Sequence, residues 1–245
     1  MYCRRLPLEG ICNARDLGGF FVPDGVTKFG IFLRSDVPSF LSADDICFLK
    51  NYGLKNVMDL RSSEECAAVP DVLSSDYRIS YINVPMYDRM AAKGISSGAN
   101  EYKPFSWAEH YIRMVDENKR WMLDVLNSLE KAQGCTLIHC ATGKDRTGLV
   151  SMALLGLCCV SDEDIIADYS VSQIYLKPLY EKLIKEGSSR TLSDPCFSTA
   201  PENMQLLLAH INSVYGGIPS YLKACGVSDE LLNALRKRLF QASCY

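Results

Sequence analysis

The chain has 245 residues, of which 48% are hydrophobic and 22% are charged, and its formal net charge is −3. This size and composition are typical of one globular domain with ample core, so we expect residues 1–245 to form a single domain. The small negative charge excludes a global basic surface for nucleic acid, and no apolar run reaches the length of a membrane span.

The 11 cysteines are odd in number and scattered, and none are spaced as Cys-x-x-C. This pattern favours reduced thiols in a cytoplasmic protein over a disulfide framework. With only three histidines, a structural zinc site is not expected, and the sequence predicts neither a metal nor a cofactor. The N-terminus lacks the apolar segment of a signal peptide, so we expect a cytoplasmic location, with non-classical export left open.

The first half of the chain alternates between short strands and helices. A Pro-Asp-Gly bend marks a hairpin, and apolar runs bounded by polar residues mark further strands. The predicted strands lie at 20–26, 31–36, 56–60 and 79–85. Ser42 is the expected cap of a helix that runs through Asn51, and the next helix begins at Ser62 or Ser63.

Helices dominate the second half. The polar segment 86–104 is predicted to be a mobile loop or lid, and residues 187–199 a polar surface loop. Residues 136–140 form the last core strand, and the helix at 149–160 is apolar nearly all round, so we expect it to be central. Further helices are predicted at 105–131, at 175–185, and after Ser161, Pro201 and Ser228. The predicted fold class is therefore α/β, with a short, mainly parallel sheet flanked by helices on both faces and a helix-rich C-terminal half.

The most informative stretch begins at Cys140 and reads Cys-Ala-Thr-Gly-Lys-Asp-Arg-Thr-Gly. A strand, a tight loop and a helix start together form an anion site, because successive backbone N–H groups and the helix N-terminus attract negative charge. The same field favours the thiolate form of Cys140. The bare Cys-x5-Arg spacing is weak evidence, and it is the strand before it, the glycine within it and the helix after it that carry the prediction.

Hydrolysis of a phosphate ester would use these residues in distinct ways. Cys140 would attack phosphorus, and Arg146 would hold the phosphate oxygens together with the loop backbone. The other phosphate-binding candidates of the loop are Ala141, Thr142, Gly143, Lys144 and Thr147, the last also as a hydrogen-bond donor to the sulfur. The leaving oxygen needs a proton, for which Asp145 in the loop and Asp88 in the polar segment 86–104 are rival donors.

Polar side chains also stand at the ends of two predicted strands, where α/β proteins gather their sites. Arg34, Arg61 and Asp59 are candidates for lining the anion pocket, although a residue of this kind is, taken alone, more often a surface or ion-pair residue. His139 adjoins Cys140 in a strand, so the two side chains point to opposite faces. His139 is therefore expected to be a buried packing residue, which disfavours a Cys–His protease.

The stretch from His139 to Gly148 resembles the H-C-x-x-G-K-D-R-T-G signature of the bacterial tyrosine and dual-specificity phosphatases of the Cys-x5-Arg superfamily. Other blocks are similar to the family's N-x-R-D-L-G-G, R-S-D and D-L-R-S elements and to its C-terminal segments. These blocks are spread over most of the length of the chain and lie at 13–19, 34–36, 59–62, 168–172 and 216–222.

The resemblance implies a metal-independent phosphatase with a phosphocysteine intermediate at Cys140, phosphate binding by the loop and Arg146, and Asp145 as general acid. The expected substrate is phosphotyrosine in proteins, with phosphoserine and phosphothreonine as further substrates. Because Lys144 and Asp145 also resemble loops of phosphoinositide phosphatases, a lipid phosphate substrate is the alternative. A catalytically silent module that binds phosphate or sulfate is the alternative outside the enzymes.

Overall fold

The structure, a computed structural model, describes residues 4–86, 106–188 and 191–242. The strands are β1 (Arg15–Asp16), β2 (Phe21–Val22), β3 (Gly25–Thr27), β4 (Phe32–Ser35), β5 (Leu54–Asp59), β6 (Ser80–Asn83), β7 (Cys135–His139) and β8 (Phe240–Ala242). A five-stranded sheet has the order β1-β4-β7-β5-β6, in which β1 is antiparallel to β4 and the other neighbours are parallel. A small antiparallel sheet has the order β2-β3-β8.

The helices are α1 (Ala43–Tyr52), α2 (Ser63–Ala68), α3 (Trp107–Glu117), α4 (Lys119–Lys131), α5 (Arg146–Leu157), α6 (Asp162–Ser170), α7 (Ser172–Tyr175), α8 (Lys177–Lys185), α9 (Pro201–Tyr215), α10 (Ile218–Ala224) and α11 (Asp229–Leu239), with single 3₁₀ turns at Val72–Ser75 and Pro195–Phe197. Ser42 caps α1 through a capping box with Asp45, as its sequence predicts. Asn118 separates α3 from α4. Within the described ranges, no helix has the length and apolar character needed to cross a bilayer.

Both faces of the larger sheet are covered, because successive strand residues point to opposite sides. One face belongs to the larger core cluster through Phe32, Met58 and Ile138. The other belongs to a smaller cluster through Leu33, Val57 and Leu137, where Leu49 of α1 packs. Nearly all of α5 is buried in the larger cluster. The predicted α/β class, with its mainly parallel sheet and helix-rich C-terminal half, is confirmed.

Part of the predicted surface loop at 187–199 is not at the surface. Phe197 is 7% exposed and Thr199 is 1% exposed. The reason is a stacked contact between Phe197 and Tyr180, whose ring centres lie 4.1 Å apart. The predicted lid at 86–104, including Asp88, lies outside the described residues except for the buried Met86.

The parallel strands bring their carboxyl ends to one edge of the sheet. The segment after β7 lies between those that follow β4 and β5, and backbone hydrogen bonds join all three. Val37 donates to the carbonyl of Ala141 at 3.0 Å, and Leu60 donates to the carbonyl of His139 at 2.9 Å. This edge is where an α/β sheet holds its ligands, and it carries the loop that the sequence singles out.

Candidate active site

The loop of interest occupies residues 140–145, between the end of β7 and the first residue of α5. Gly143 sits at its centre with φ +68°, in the left-handed region that glycine tolerates best. A Cβ atom at Gly143 would lie 2.2 Å from the carbonyl oxygen of Ser35. The close approach of the loop to the end of β4 therefore requires glycine at this position.

The backbone N–H groups of residues 141–145 are the main chemical feature of this loop. Within the part of the chain that the structure describes, none of them donates a hydrogen bond to a protein acceptor. Backbone donors in and around a core are almost always paired. Five consecutive donors with no acceptor in the described part of the protein, beside a buried cysteine and a helix N-terminus, form an arrangement suited to an oxyanion.

Arg146 is oriented by a carboxylate that the sequence analysis did not single out. Its guanidinium donates to both carboxylate oxygens of Glu65, at 2.6 and 2.7 Å, and to the carbonyl of Leu60 at 3.3 Å. Burial raises the pKa of Glu65, but hydrogen bonds from Arg146 and the backbone of Ser62 outweigh it, and the net pKa lies below its usual value. The sequence signal for Glu65 is the S-x-x-E capping box at the start of α2.

The charged groups of Asp145 and Lys144 lie 3.6 Å apart but have different hydrogen-bond partners. Tyr111 donates to Oδ1 of Asp145 at 2.5 Å, and the carboxylate side chain is 18% exposed. The ammonium of Lys144 donates to the carbonyls of Cys196 at 2.6 Å and Ser198 at 3.3 Å. Burial lowers the pKa of Lys144, and the adjacent Asp145 opposes part of that change. This differs from the expectation that Lys144 adds charge beside the phosphate, since its ammonium is engaged by the backbone of a neighbouring segment.

Arg34 supports the loop from a buried ion network. One guanidinium nitrogen donates to the carbonyl of Gly143 at 2.6 Å and another to Asp168 at 2.5 Å. Arg15 binds the other carboxylate oxygen of Asp168 at 2.8 Å and also donates to the Asn13 carbonyl. Burial alone would raise the pKa of Asp168, but Arg15 and Arg34 hold it at about 2. Arg34 is thus engaged by protein acceptors, and its place in the lining of the pocket stays a prediction.

Asp59 and Arg61, which the sequence predicts to line the pocket, are paired with each other. Arg61 donates to both oxygens of Asp59, at 2.7 to 3.1 Å, and to the carbonyl of Val69 at 2.6 Å. Burial raises the pKa of Asp59, but the bonds from Arg61 and the nearby His139 lower it to about 2. Asp59 also accepts a hydrogen bond from Tyr81 at 2.7 Å. The pair ties the end of β5 to the segment that follows α2.

His139 is a fully buried packing residue, as predicted. Its Nε2 lies 3.1 Å from Asp71, and its Nδ1 lies 3.1 Å from the carbonyl oxygen of Cys140. Asp59, Asp71 and His139 bring their ligand atoms within 4.8 Å of one another, which is close enough for a cation. All three already have hydrogen-bond partners, and a cation would displace Arg61 from Asp59, so we assign the group a structural role.

The remaining predicted loop residues are Ala141, Thr142 and Thr147. The carbonyl of Thr142 accepts a hydrogen bond from the Asn13 side chain at 3.0 Å, and the carbonyl of Ala141 accepts one from Val37. The N–H groups of Ala141 and Thr142 are among the five at 141–145 that have no acceptor in the described residues. The hydroxyl of Thr147 is buried and has no hydrogen-bond partner among the described residues, so the expected bond to the sulfur of Cys140 is not formed.

Comparison with known proteins identifies the family. A model of the tyrosine phosphatase family matches residues 6–241. The chain belongs to this family. This membership agrees with the resemblance seen in the loop and confirms the predicted tyrosine phosphatase family.

Two curated relatives and one solved structure illustrate the similarity. The chain is 29% identical over 227 residues to a tyrosine-protein phosphatase from Nostoc commune, covering 86% of this chain and 74% of the relative. It is 26% identical over 278 residues to the triple specificity protein phosphatase PtpB of Mycobacterium tuberculosis, covering 96% and 98%. A crystal structure of P. aeruginosa TpbA, carrying one substitution and in complex with pTyr, has a TM-score of 0.41 and 14% identity, with coverage of 86% and 96%.

Proposed function

We propose that this phosphatase hydrolyses phosphotyrosine in proteins through a phosphocysteine intermediate, with phosphoserine and phosphothreonine as further substrates. The observation that carries the proposal is the row of five backbone N–H groups at 141–145, which have no acceptor among the described residues and lie directly after Cys140 and before α5. Preorganised donors of this kind stabilise the charge of a phosphoryl group as it is transferred. Arg146, whose plane is held by Glu65, supplies the side-chain donor.

With these residues, hydrolysis of the phosphate ester takes place in two steps. The sulfur of Cys140 forms a bond to phosphorus while the bond to the phenol oxygen breaks, and Asp145 gives its proton to that oxygen. A water molecule then attacks phosphorus, the sulfur–phosphorus bond breaks, and Asp145 takes up the water proton as inorganic phosphate forms. The loop supplies the positive field itself, so we include metal independence in the proposal. A cytoplasmic location stays a prediction that rests on the cysteine pattern.

A pair of cysteine variants tests the nucleophile. Purified protein should hydrolyse p-nitrophenyl phosphate in the presence of a chelator, and Cys140→Ser should abolish that turnover. Cys135→Ser is the matched control, since Cys135 is also buried but lies at the opposite end of β7 from Cys140. Turnover that survives in Cys140→Ser, or that vanishes with the chelator, contradicts the mechanism. A phosphotyrosyl peptide that binds but is never hydrolysed would instead support the silent module.

The alternative substrate, a phosphoinositide, is tested by comparing the turnover of two substrates. This alternative rests on the resemblance of Lys144 and Asp145 to loops of phosphoinositide phosphatases, but the hydrogen bonds of the Lys144 ammonium to Cys196 and Ser198 argue against its use as a ligand for a lipid headgroup. Turnover of phosphotyrosyl peptides should therefore exceed turnover of soluble phosphoinositides. The reverse preference would favour the lipid substrate, with the same nucleophile and arginine.

A further inference from the structure

A buried tyrosine from α3 contacts the carboxylate to which we assign the proton transfer. The hydroxyl of Tyr111 donates to Oδ1 of Asp145 at 2.5 Å, and Tyr111 is 1% exposed. The ammonium of Lys144 lies 3.6 Å from the same oxygen, Oδ1. Both contacts therefore fall on one oxygen of the carboxylate.

The orientation of Tyr111 is itself fixed by a second tyrosine. The hydroxyls of Tyr111 and Tyr169 lie 3.0 Å apart, and their rings meet edge to face with centres 5.9 Å apart. A phenol has one proton, and that of Tyr111 is used in the bond to Asp145, so Tyr169 must donate to the oxygen of Tyr111. The side chain of Asn203 reaches the Tyr169 hydroxyl at 3.5 Å. Helices α3, α6 and α9 thus contribute one continuous chain of donors that ends at Asp145.

The surroundings keep Tyr111 in its donor form. Burial raises the pKa of Tyr111 well above its ordinary value, and the neighbouring Asp145 and Tyr169 raise it further. The phenol therefore stays protonated over the working range of the enzyme. Among the described residues, the titratable groups that interact electrostatically with Asp145 include Lys144 of the loop, His110 and Tyr111 of α3, Tyr169 of α6 and Tyr180 of α8.

We propose that Tyr111 is a positioning residue for the general acid, a role that rests on the proposed assignment of Asp145. By occupying Oδ1, it leaves Oδ2 as the oxygen that carries the proton to the leaving group and later receives one from water. The bond from the phenol strengthens as Asp145 loses its proton, because a hydrogen bond to a carboxylate is stronger than one to a neutral acid. Tyr111 therefore assists the transfer itself, and Tyr169 acts through Tyr111.

Tyr111→Phe tests this role, because it keeps the ring and removes only the hydroxyl, which donates to Asp145 and accepts from Tyr169. The value of kcat/KM for phenyl phosphate, which has a poor leaving group, should fall about 10-fold, the cost of losing one hydrogen bond to a charged group. The value for p-nitrophenyl phosphate should change much less, since its leaving group needs little proton assistance. The limb of the pH profile that reports the acid should move to higher pH, because the carboxylate has lost a donor that stabilised it.

Three further variants separate this role from its alternatives. Tyr221→Phe is the matched control, since Tyr221 is equally buried and its hydroxyl donates to the carbonyl of Val115; it should leave the leaving-group dependence unchanged. Tyr169→Phe should give a smaller effect of the same sign, and it keeps the test usable if Tyr111→Phe folds poorly. Asp145→Asn should give the largest loss on phenyl phosphate.

The outcomes are distinguishable. If Asp145→Asn impairs phenyl phosphate selectively but Tyr111→Phe and Tyr169→Phe behave like the wild type, the positioning role is wrong and the proposed mechanism stands. If Asp145→Asn has no selective effect on phenyl phosphate, the assignment of the acid is wrong. A uniform loss in Tyr111→Phe for both esters, with an unmoved pH profile, would mark a merely structural role and overturn the inference.

Discussion

Arg34 donates a hydrogen bond to the carbonyl oxygen of Gly143 at 2.6 Å, at the centre of the loop that we assign to phosphate binding. The arginine is 1% exposed and belongs to β4, so it reaches the loop from within the protein. Another of its nitrogens engages Asp168, which Arg15 binds from the other side. The loop is therefore supported by two buried cations that share one carboxylate.

Removing Arg34 should both destabilise the fold and loosen the loop. We expect Arg34→Met to lower the free energy of unfolding by about 3 kcal/mol, because it leaves the buried Asp168 with one fewer cation. The value of kcat/KM for phosphotyrosyl peptides should fall as well, since Gly143 loses its support. Urea unfolding and steady-state kinetics check both. Arg78→Met, at an exposed ion pair with Asp76, is the control and should change neither. An Arg34 variant as stable as the wild type would contradict the network's role.

Acid should weaken the same network. The pKa of Asp168 is about 2 in the folded protein and lower than in the unfolded chain. Its contribution, about 2 kcal/mol, is therefore complete above the unfolded pKa near 4 and is lost as the pH falls through that value toward 2. In Asp168→Asn, the free energy of unfolding should depend less steeply on pH in this window. Asp59, with a pKa of about 2, contributes in the same window and keeps part of the slope. Equal slopes for variant and wild type would refute the assignment.

The loop could be predicted from the sequence because its residues are contiguous, whereas its partners are distant along the chain. Tyr111 lies 34 positions from Asp145, and Glu65 lies 81 positions from Arg146. Hydrogen bonds across the fold leave no periodic pattern that a single sequence displays. The partners of Lys144 could not be predicted for the same reason. A lysine in a phosphate-binding loop suggests an anion ligand, whereas its hydrogen bonds to the carbonyls of Cys196 and Ser198 depend on tertiary packing.

The fold shows the same division between local and distant contacts. The helix α1 could be predicted because Ser42 and Gly53 mark its two ends with a cap and a left-handed residue. The strand β8 could not be predicted, since three residues after a helix carry no alternating pattern. It forms because Phe240–Ala242 pairs with the distant strand β3.

Glu65→Gln should show what the bidentate ion pair contributes to Arg146. Glutamine retains the side-chain acceptor that completes the capping box with Ser62, so α2 should keep its start. Only the charge and one of the two strong bonds to Arg146 are lost, and kcat/KM should fall about 10-fold. Ser62→Ala is the matched control, because it removes the cap and leaves the ion pair intact. A loss in Ser62→Ala equal to that in Glu65→Gln would show that helix stability, and not the ion pair, decides the activity.

Lys144→Met tests whether Lys144 anchors the segment 196–199 or binds phosphate. The ammonium of Lys144 lies 3.9 Å from the centre of the Trp107 ring and donates to the carbonyls of Cys196 and Ser198. We therefore expect faster hydrogen exchange at residues 196–199, because the segment loses its anchor. Competitive inhibition by inorganic phosphate should weaken by less than about 3-fold, whereas Arg146→Lys should weaken it at least about 10-fold, because a bidentate donor is lost. Lys185→Met, at the exposed end of α8, should change neither quantity. If phosphate inhibition in Lys144→Met weakens as much as in Arg146→Lys, Lys144 is a phosphate ligand after all.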